Sequence, residues 1–314
     1  MSDTMIVRVL GSGSALPKPS FHPSCHVVQI RDKAYMVDCG EGTQMQMMKY
    51  GIPFKNLHRI FITHLHGDHC LGLAGLLSTM SLVGLDFPVH IYGPKGIVEY
   101  VECIISLFCK EDEERIIAHE VQCKELEKIY EDNTLTVHSF PLQHRVPTIG
   151  FRFDENPRLP HLNREMADFY GVPVAYFGLI KQGHDFTQSD GTIIPNSLLT
   201  TPARAPYSYA YCSDTAYSCK TSEYVLGVDL LYHEATFMQD MSIRAKETMH
   251  STTLDAAKVA NDAQVSHLLI GHYSGRYTTK ASNDKLIQEC RIAFPRTIAA
   301  SDGLEVNLQE LRNQ

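Results

Sequence analysis

The stretch FITHLHGDHCLGL (residues 61–73) places three histidines and an aspartate within six consecutive positions. These residues are His64, His66, Asp68 and His69, and they follow an apolar, β-branched run that predicts a strand. Side chains two residues apart point the same way on extended backbone, so His64 and His66 can bind one ion together. Asp68 and His69 lie further round the turn and can bind a second ion. Imidazole and carboxylate ligands favour zinc, iron or manganese.

Other polar residues follow apolar runs that predict strands elsewhere in the chain. They are His144 after SFPLQ, Asp214 after YAYCS, His233 and Glu234 after DLLY, and His272 after HLLIG. Active sites of layered α/β folds collect at such strand ends. One such residue alone is more often a helix cap or a buried core histidine, but repetition of the pattern favours a shared site. We therefore expect these strand ends to supply the ligands that the first cluster lacks.

The composition limits the class of protein. A length of 314 residues is compatible with one large α/β domain or with two smaller ones. The apolar fraction of 44% is sufficient for a sizeable buried core. The net charge of −8 argues against a generic nucleic-acid coat, but it leaves a local basic patch open.

The cysteines and the apolar runs indicate the compartment. There are nine cysteines, an odd number without a CxxC pair, which predicts free thiols in a reducing cytoplasm. The start MSDTMIVRVL lacks the basic segment and long apolar run of a signal peptide. No run approaches the roughly 18 apolar residues of a membrane span. We therefore expect a cytoplasmic protein with no membrane partner.

Strand-like and helix-like patterns alternate along most of the chain. The predicted strands are 6–10, 26–30, 34–38, 59–63 and 89–93, with helices at 42–51, 71–84 and 96–108. After a β-rich middle, strands at YAYCS, DLLYHEA, HLLIG, TIAAS and LEVNL alternate with helices near 221–227, 252–263 and 283–293. Such alternation predicts an α/β fold in which helices cover the sheets.

The segment 154–206 differs from the rest of the chain. It contains six prolines and four glycines, and its apolar residues follow neither the helical nor the strand period. Long connections of this kind are usually functional or disordered. We interpret the segment as an inserted arm that projects from the core, and not as a second domain.

The motif THLHGDH (63–69) matches the HxHxDH signature of the metallo-β-lactamase superfamily. Within that superfamily the chain resembles the short form of the ribonuclease Z (tRNase Z) family, and the resemblance covers nearly its whole length. The stretches that carry it are DCGEGTQMQM (38–47), ITHLHGDHCLGLAGLL (62–77), CSDT (212–215), HEATF (233–237), MHSTT (249–253), GHYSGRY (271–277) and ASDGLEV (300–306). The HxHxDH motif specifies only the superfamily, whereas HEATF, HST and ASDGLEV are much more specific.

The resemblance implies a fold and a metal centre. The fold would be an αββα sandwich, with two β-sheets face to face and helices outside, formed by a single domain over 1–314 with the arm 154–206 as a tRNA exosite. The centre would hold two Zn²⁺ ions per chain, with Mn²⁺ or Fe²⁺ as alternatives. Its implied ligands are His64, His66 and His144 for one ion, Asp68, His69 and His272 for the other, and Asp214 as the bridge.

The resemblance also implies the reaction and the partners. The activity would be endonucleolytic removal of the 3′ trailer from precursor tRNA, which leaves a 3′-hydroxyl on the tRNA and a 5′-phosphate on the trailer. Asp68 would also accept a proton from the attacking water, His250 would act as the general acid, and Glu234 would orient it. The protein would be a homodimer in which one subunit's arm holds tRNA for the other's metals.

Two other functions remain open at this stage. The chain could be a small-molecule phosphodiesterase or arylsulfatase on the same dinuclear scaffold, or a non-catalytic RNA-binding module with a degenerate site. For His250 the alternative is a purely structural role before the helix at 252–263, with Ser251 or Thr252 as the N-cap.

Overall fold

The computed structural model describes residues 4–16, 18, 21–84, 86–277 and 279–314. The strands are β1 (Met5–Gly11), β2 (Cys25–Ile30), β3 (Lys33–Val37), β4 (Leu57–Phe61), β5 (Val89–Gly93), β6 (Ile116–Glu120), β7 (Glu127–Glu131), β8 (Leu135–Leu142), β9 (Thr148–Glu155), β10 (His161–Leu162), β11 (Phe186–Thr187), β12 (Ile193–Ile194), β13 (Thr200–Thr201), β14 (Ser208–Cys212), β15 (Leu230–Glu234), β16 (His267–Gly271), β17 (Thr297–Ala299) and β18 (Glu305–Asn307).

The helices mostly follow the strands that they cover. They are α1 (Thr43–Lys49), α2 (Gly67–Cys70), α3 (Gly72–Leu82), α4 (Ile97–Phe108), α5 (Arg164–Phe169), α6 (Phe177–Lys181), α7 (Asn196–Leu199), α8 (Cys219–Tyr224), α9 (Ser242–Thr248), α10 (Thr253–Asp262), α11 (Lys280–Ala293) and α12 (Leu308–Arg312). Among the described residues, no helix has the length and apolar character needed to span a bilayer.

Two large sheets are built on the same plan. The first has the strand order β18-β1-β2-β3-β4-β5-β6, and the second has the order β17-β16-β15-β14-β9-β8-β7. In the first sheet the run β3 to β6 is parallel, and in the second the run β14 to β17 is parallel. Parallel strands present their carboxyl ends at one edge of a sheet, which brings the loops that follow them together.

The sheets pack face to face through aromatic side chains. The ring of Phe61 on β4 lies 5.3 Å from the ring of Phe151 and 5.5 Å from that of Phe153, both on β9. Apolar clusters on the outer faces pack each sheet against helices, with Leu73 and Val101 on one side and Ala256 and Leu286 on the other. Burial of these surfaces is the main force that holds the four layers together.

The residues Glu155–Pro206 form a compact unit distinct from the one formed by the rest of the described chain. This unit has its own small core, formed by Ala167, Val172, Ile180, Phe186, Ile194 and Leu199. The buried carboxylate of Glu155 pairs with Arg158 and Arg204, in each case at 2.6 Å. Its helices have four to six residues and its strands two, which is too short to produce a periodic pattern in the sequence.

Candidate metal centre

The turn after β4 presents the HxHxDH motif at the edge of the first sheet. His64 and His66 lie on the extended backbone that leaves β4, and α2 begins at Gly67. Side chains of Asp68 and His69 therefore project from the first helical turn, while His64 and His66 project from the strand end. His64 and His69 are fully buried, and Asp68 is nearly so.

The other predicted ligands arrive from three further strand ends. His144 follows β8, Asp214 follows β14 and His272 follows β16. Their donor atoms fall into two groups with the motif residues, in each of which all donors lie within 4.8 Å of one another. One group is His64, His66, His144 and Asp214, and the other is Asp68, His69 and His272. A third, overlapping group joins Asp214 and His272 with His250.

Asp214 lies between the two groups, with one carboxylate oxygen towards each. Its Oδ2 is 3.6 Å from Nε2 of His64 and 3.8 Å from Nε2 of His144. Its Oδ1 is 3.5 Å from Nε2 of His69 and 3.2 Å from Nε2 of His272. Asp68 completes the second group, since its Oδ2 is 3.4 Å and 3.3 Å from the same two nitrogens. Asp214 thus has one oxygen beside each of the two donor groups.

The donor set fits divalent metal ions. Zinc bonds of about 2.0–2.2 Å place tetrahedral ligand atoms about 3.3–3.6 Å apart, close to the separations around Asp214. Three buried donors also have no hydrogen-bond partner among the described residues: Nε2 of His69, Nε2 of His144 and Oδ1 of Asp214. Because an unpaired buried polar atom is costly, their convergence indicates that a bound group satisfies them.

In three of the predicted ligand histidines the second ring nitrogen is held by the protein. Nδ1 of His69 lies 2.7 Å from Oδ2 of Asp38, and Nδ1 of His144 lies 2.9 Å from the carbonyl oxygen of Met249. Nδ1 of His64 lies 3.0 Å from Oγ1 of Thr63. Such contacts fix the proton on Nδ1 and leave the lone pair of Nε2 directed at the centre.

Two threonines link ligand histidines to buried carboxylates. Oγ1 of Thr63 donates to Asp38 at 2.9 Å and accepts from His64. Oγ1 of Thr236 donates to Glu234 at 2.7 Å and lies 2.9 Å from Nδ1 of His272, from which it accepts. Since each hydroxyl has one proton and gives it to the carboxylate, the histidine must donate, which sets its tautomer.

Asp38 has a larger structural role than its position in the sequence indicates. Its backbone is left-handed, with φ of 59°, and its buried carboxylate accepts from Thr63, His69 and the hydroxyl of Tyr211. The loop after Asp38 packs so tightly on α3 that a Cβ at Gly72 would lie 1.9 Å from the carbonyl oxygen of Gly40. The left-handed backbone of Asp38 is strained for a residue other than glycine, and such a conformation persists only where the surrounding contacts enforce it.

His250 and Glu234 lie at the side of this centre. Nδ1 of His250 donates to Oε1 of Glu234 at 2.8 Å, and its Nε2 lies 3.9 Å from Oδ2 of Asp214. The fully buried Glu234 also accepts from the backbone of Thr215, Thr236 and Ser251. Glu234 therefore positions three loops and His250 at once. Thr252, one of the two predicted N-caps, caps α10 through a capping box.

Burial and neighbouring charges adjust the protonation of these groups. Burial lowers the pKa of His64 well below its ordinary value, which favours the neutral ring that a metal requires. Burial alone would raise the pKa of Asp214, but His272 and His69 hold it well below its usual range. Burial would also lower the pKa of His250, but Glu234 raises it to about 9.

Comparison with known proteins identifies the family. The ribonuclease Z of Porphyromonas gingivalis is 46% identical over 302 residues, which cover 96% of this chain and 98% of that protein. The chain belongs to the ribonuclease Z family. The crystal structure of the short form of human tRNase Z superposes with a TM-score of 0.68 at 25% identity, covering 96% of this chain and 99% of that one.

Two further matches concern the fold of this ribonuclease Z family member. The metallo-β-lactamase fold protein YhfI of Bacillus subtilis superposes with a TM-score of 0.69 at 19% identity, covering 97% of this chain and all of that one. The protein family described as Anti-Pycsar protein Apyc1 matches residues 5–157. The predicted αββα metallo-β-lactamase sandwich and the predicted family are thus confirmed.

The cleft above the centre contains residues that the sequence did not single out. It has a volume of about 650 Å³, and its wall includes the exposed side chains of Arg145, Arg244 and Arg276. Arg145 directly follows the ligand His144, and Arg276 lies in the GHYSGRY motif, so both could have been found from their neighbours. Arg244 lies on α9, a helix that the sequence did not predict.

His233, which the sequence placed at a strand end of the candidate site, belongs to neither donor group. It is buried, and its Nδ1 lies 2.7 Å from the carbonyl oxygen of Glu234.

Proposed function

We propose that the chain is a zinc-dependent endoribonuclease that removes the 3′ trailer from precursor tRNA. The observation that carries the proposal is the position of Asp214 in a member of the ribonuclease Z family. Its two oxygens each face a separate pair of buried histidine nitrogens. The reaction would leave a 3′-hydroxyl on the tRNA and a 5′-phosphate on the trailer.

The proposed ligands follow the two donor groups. His64, His66 and His144 would hold one Zn²⁺, Asp68, His69 and His272 would hold the other, and Asp214 would bridge them. Bound there, the ions supply the chemistry of lowering the pKa of water and offsetting charge on the phosphate oxygens. Mn²⁺ and Fe²⁺ accept the same imidazole and carboxylate ligands.

The chain's own residues would move the protons. Water adds to phosphorus, and the bond between phosphorus and the tRNA 3′-oxygen breaks. Oδ1 or Oδ2 of Asp68 accepts the proton that the water loses, because this carboxylate is held at the centre by His69 and His272. Nε2 of His250, which faces the centre, donates a proton to the departing 3′-oxygen.

The arginines of the cleft wall would bind the phosphates beside the scissile one. Arg145, Arg244 and Arg276 carry charge that a formal net charge of −8 conceals. Contacts between arginine side chains and the backbone phosphates of RNA place the substrate without reading its bases.

The nine cysteines are free thiols, which supports a reducing cytoplasm as the site of action.

The products test this function directly. We expect the purified protein to cut precursor tRNA once at the start of its 3′ trailer, and to leave a 3′-hydroxyl on the tRNA and a 5′-phosphate on the trailer. Mass spectrometry of both fragments measures these ends. A 2′,3′-cyclic phosphate on the tRNA would rule out hydrolysis by an added water, and cleavage of bis-p-nitrophenyl phosphate without cleavage of tRNA would favour a small-molecule phosphodiesterase.

The segment 154–206 is proposed to be an arm that holds tRNA, and the protein a homodimer in which each arm serves the partner's metal centre. The segment's compact unit, Glu155–Pro206, has its own core. It exposes large apolar side chains, including Phe169, Val174 and Ile193, which are 77%, 68% and 62% exposed. These side chains are available to contact tRNA.

Deletion of the arm tests its role. Phe153 on β9 pairs with Tyr209 on β14, so a short Gly/Ser turn can join Phe153 to Tyr207 as a hairpin and remove the whole arm. We expect this variant to fold, to keep its metal and to hydrolyse bis-p-nitrophenyl phosphate within about tenfold of the full chain, a change of about 1.4 kcal/mol in the barrier. Cleavage of precursor tRNA should fall far more, and the salt dependence of tRNA binding should flatten. Unchanged tRNA cleavage would remove the exosite role.

A further inference from the structure

A second cavity lies at the opposite end of the first sheet from the metal centre. Its volume is about 340 Å³, and its wall is formed by the start of β3, the turn before β4 and the end of β7. Arg59 in this wall precedes His64 by five residues of extended chain, which corresponds to roughly 16 Å. The cavity is therefore separate from the site that the proposed function uses.

Arg59 is the central side chain of this cavity. One terminal nitrogen of its guanidinium donates to the carbonyl oxygen of His58 at 2.8 Å, and the guanidinium carbon lies 4.8 Å from the centre of the Tyr130 ring. Its Nε is buried and has no hydrogen-bond partner among the described residues. No carboxylate of those residues forms an ion pair with Arg59. The guanidinium also interacts with the hydroxyl of Tyr92, but its buried Nε–H lacks an acceptor among the described residues.

Two acids line the same wall: Asp32, which is exposed, and Asp132, whose oxygens are already occupied. Oδ2 of Asp132 accepts from Lys33 at 2.7 Å and from the hydroxyls of Tyr35 and Tyr130, each at 2.9 Å. Its Oδ1 accepts from the backbone of Thr134. Asp132 therefore organises the wall and neutralises Lys33, but it leaves Arg59 uncompensated.

Lys55 adds a second positive charge without an ion-pair partner among the described residues. The effect of the uncompensated charge is visible in the histidines of neighbouring strands. Burial, and after it the charge of Arg59, lowers the pKa of His58 and lowers that of His90 to about 4. The wall of the cavity thus carries three cations, Lys33, Lys55 and Arg59, against two carboxylates, in a protein whose net charge is −8.

We propose that this cavity binds a small phosphate or phosphate monoester between Arg59 and Lys55. The planar fork of an arginine matches two oxygens of a phosphate, and a lysine adds a point charge to the third. The volume of about 340 Å³ is within the range of small-ligand pockets. The proposal does not depend on the reaction at the metal centre.

Inorganic phosphate and adenosine 5′-monophosphate are the probes for this site. The readout is the NMR signal of the Arg59 Nε–H group in the metal-loaded protein, assigned by its loss in Arg59→Gln. We expect a saturable shift of this signal with both probes. Lys55→Gln should raise the dissociation constant by about tenfold or more, as expected when a charged contact to the anion is removed. Lys220→Gln is the matched control, because Lys220 is exposed and paired with Glu125 elsewhere on the surface.

Four outcomes would overturn the proposal. The first is an Arg59 signal that does not respond to either probe, and the second is an equal dissociation constant in Lys55→Gln and the wild type. The third is displacement of the probes by precursor tRNA, which would assign the cavity to RNA. Hydrolysis of bis-p-nitrophenyl phosphate should be the same in all variants. A loss in Lys55→Gln would show that the cavity supports the metal centre instead, and it would contradict the assignment without affecting the proposed function.

Discussion

Replacing Asp68 with alanine is expected to reduce cleavage of precursor tRNA below detection while tRNA binding stays largely intact. Oδ2 of Asp68 lies 3.4 Å from Nε2 of His69 and 3.3 Å from Nε2 of His272, so the substitution removes a proposed ligand and the proton acceptor together. Affinity for tRNA comes mainly from phosphate contacts elsewhere. Single-turnover cleavage and filter binding measure the two effects separately.

Glu41→Gln is the matched control for Asp68→Ala. Glu41 is an exposed carboxylate in the wall of the same cleft, and it belongs to neither donor group. Its substitution should leave cleavage nearly unchanged. If Asp68→Ala instead lost binding and cleavage in parallel, Asp68 would be supporting the fold, and its assigned role would be wrong.

Replacing His250 with alanine is expected to lower the rate of tRNA cleavage by roughly 10²–10⁴, the usual contribution of a general acid, or about 3–5 kcal/mol of barrier. The rate on bis-p-nitrophenyl phosphate should fall much less, because p-nitrophenolate leaves as a stable anion without a proton. Parallel measurement of both substrates separates the acid role from a structural one. Equal losses on the two substrates would remove His250 from proton transfer.

One control variant and one second test accompany His250→Ala. His138→Ala changes a half-buried histidine on β8 whose contact is with Asp154, away from the centre, and it should leave both rates unchanged. Glu234→Gln keeps the shape of the side chain that holds His250 but removes its charge. We expect it to reduce tRNA cleavage more than hydrolysis of the activated diester, since it acts through His250.

Much of the fold was predictable because its elements are long and their patterns are strong. The strand predicted at 89–93 is Val89–Gly93, and the helix predicted at 96–108 is Ile97–Phe108. The predictions omitted α9, whose seven residues carry Arg244, because a short exposed helix has no apolar stripe. In the segment 154–206, elements of two to six residues give no measurable period, so they were not predicted either.

The candidate site was predictable to the extent that its chemistry is local. The spacing of His64, His66 and Asp68 indicated a metal turn without any knowledge of the fold. In contrast, Asp38 is 31 positions from His69, to which it is hydrogen bonded across the sheet edge. Only the three-dimensional arrangement shows that Asp38 and Glu234 hold the histidines through Thr63 and Thr236. Supporting contacts of this kind join residues far apart in the chain, so they produce no recognisable motif in the sequence.

We propose that seven side chains from the ends of several strands form one dinuclear metal centre. Elemental analysis of protein purified without chelator tests it most directly, with Asp214→Ala measured beside the wild type. We predict about two metal ions per chain, most of them zinc, and a marked loss in Asp214→Ala, since each oxygen of Asp214 faces one donor group. A metal content near zero in the wild type after supplementation with zinc, manganese or iron would contradict the account.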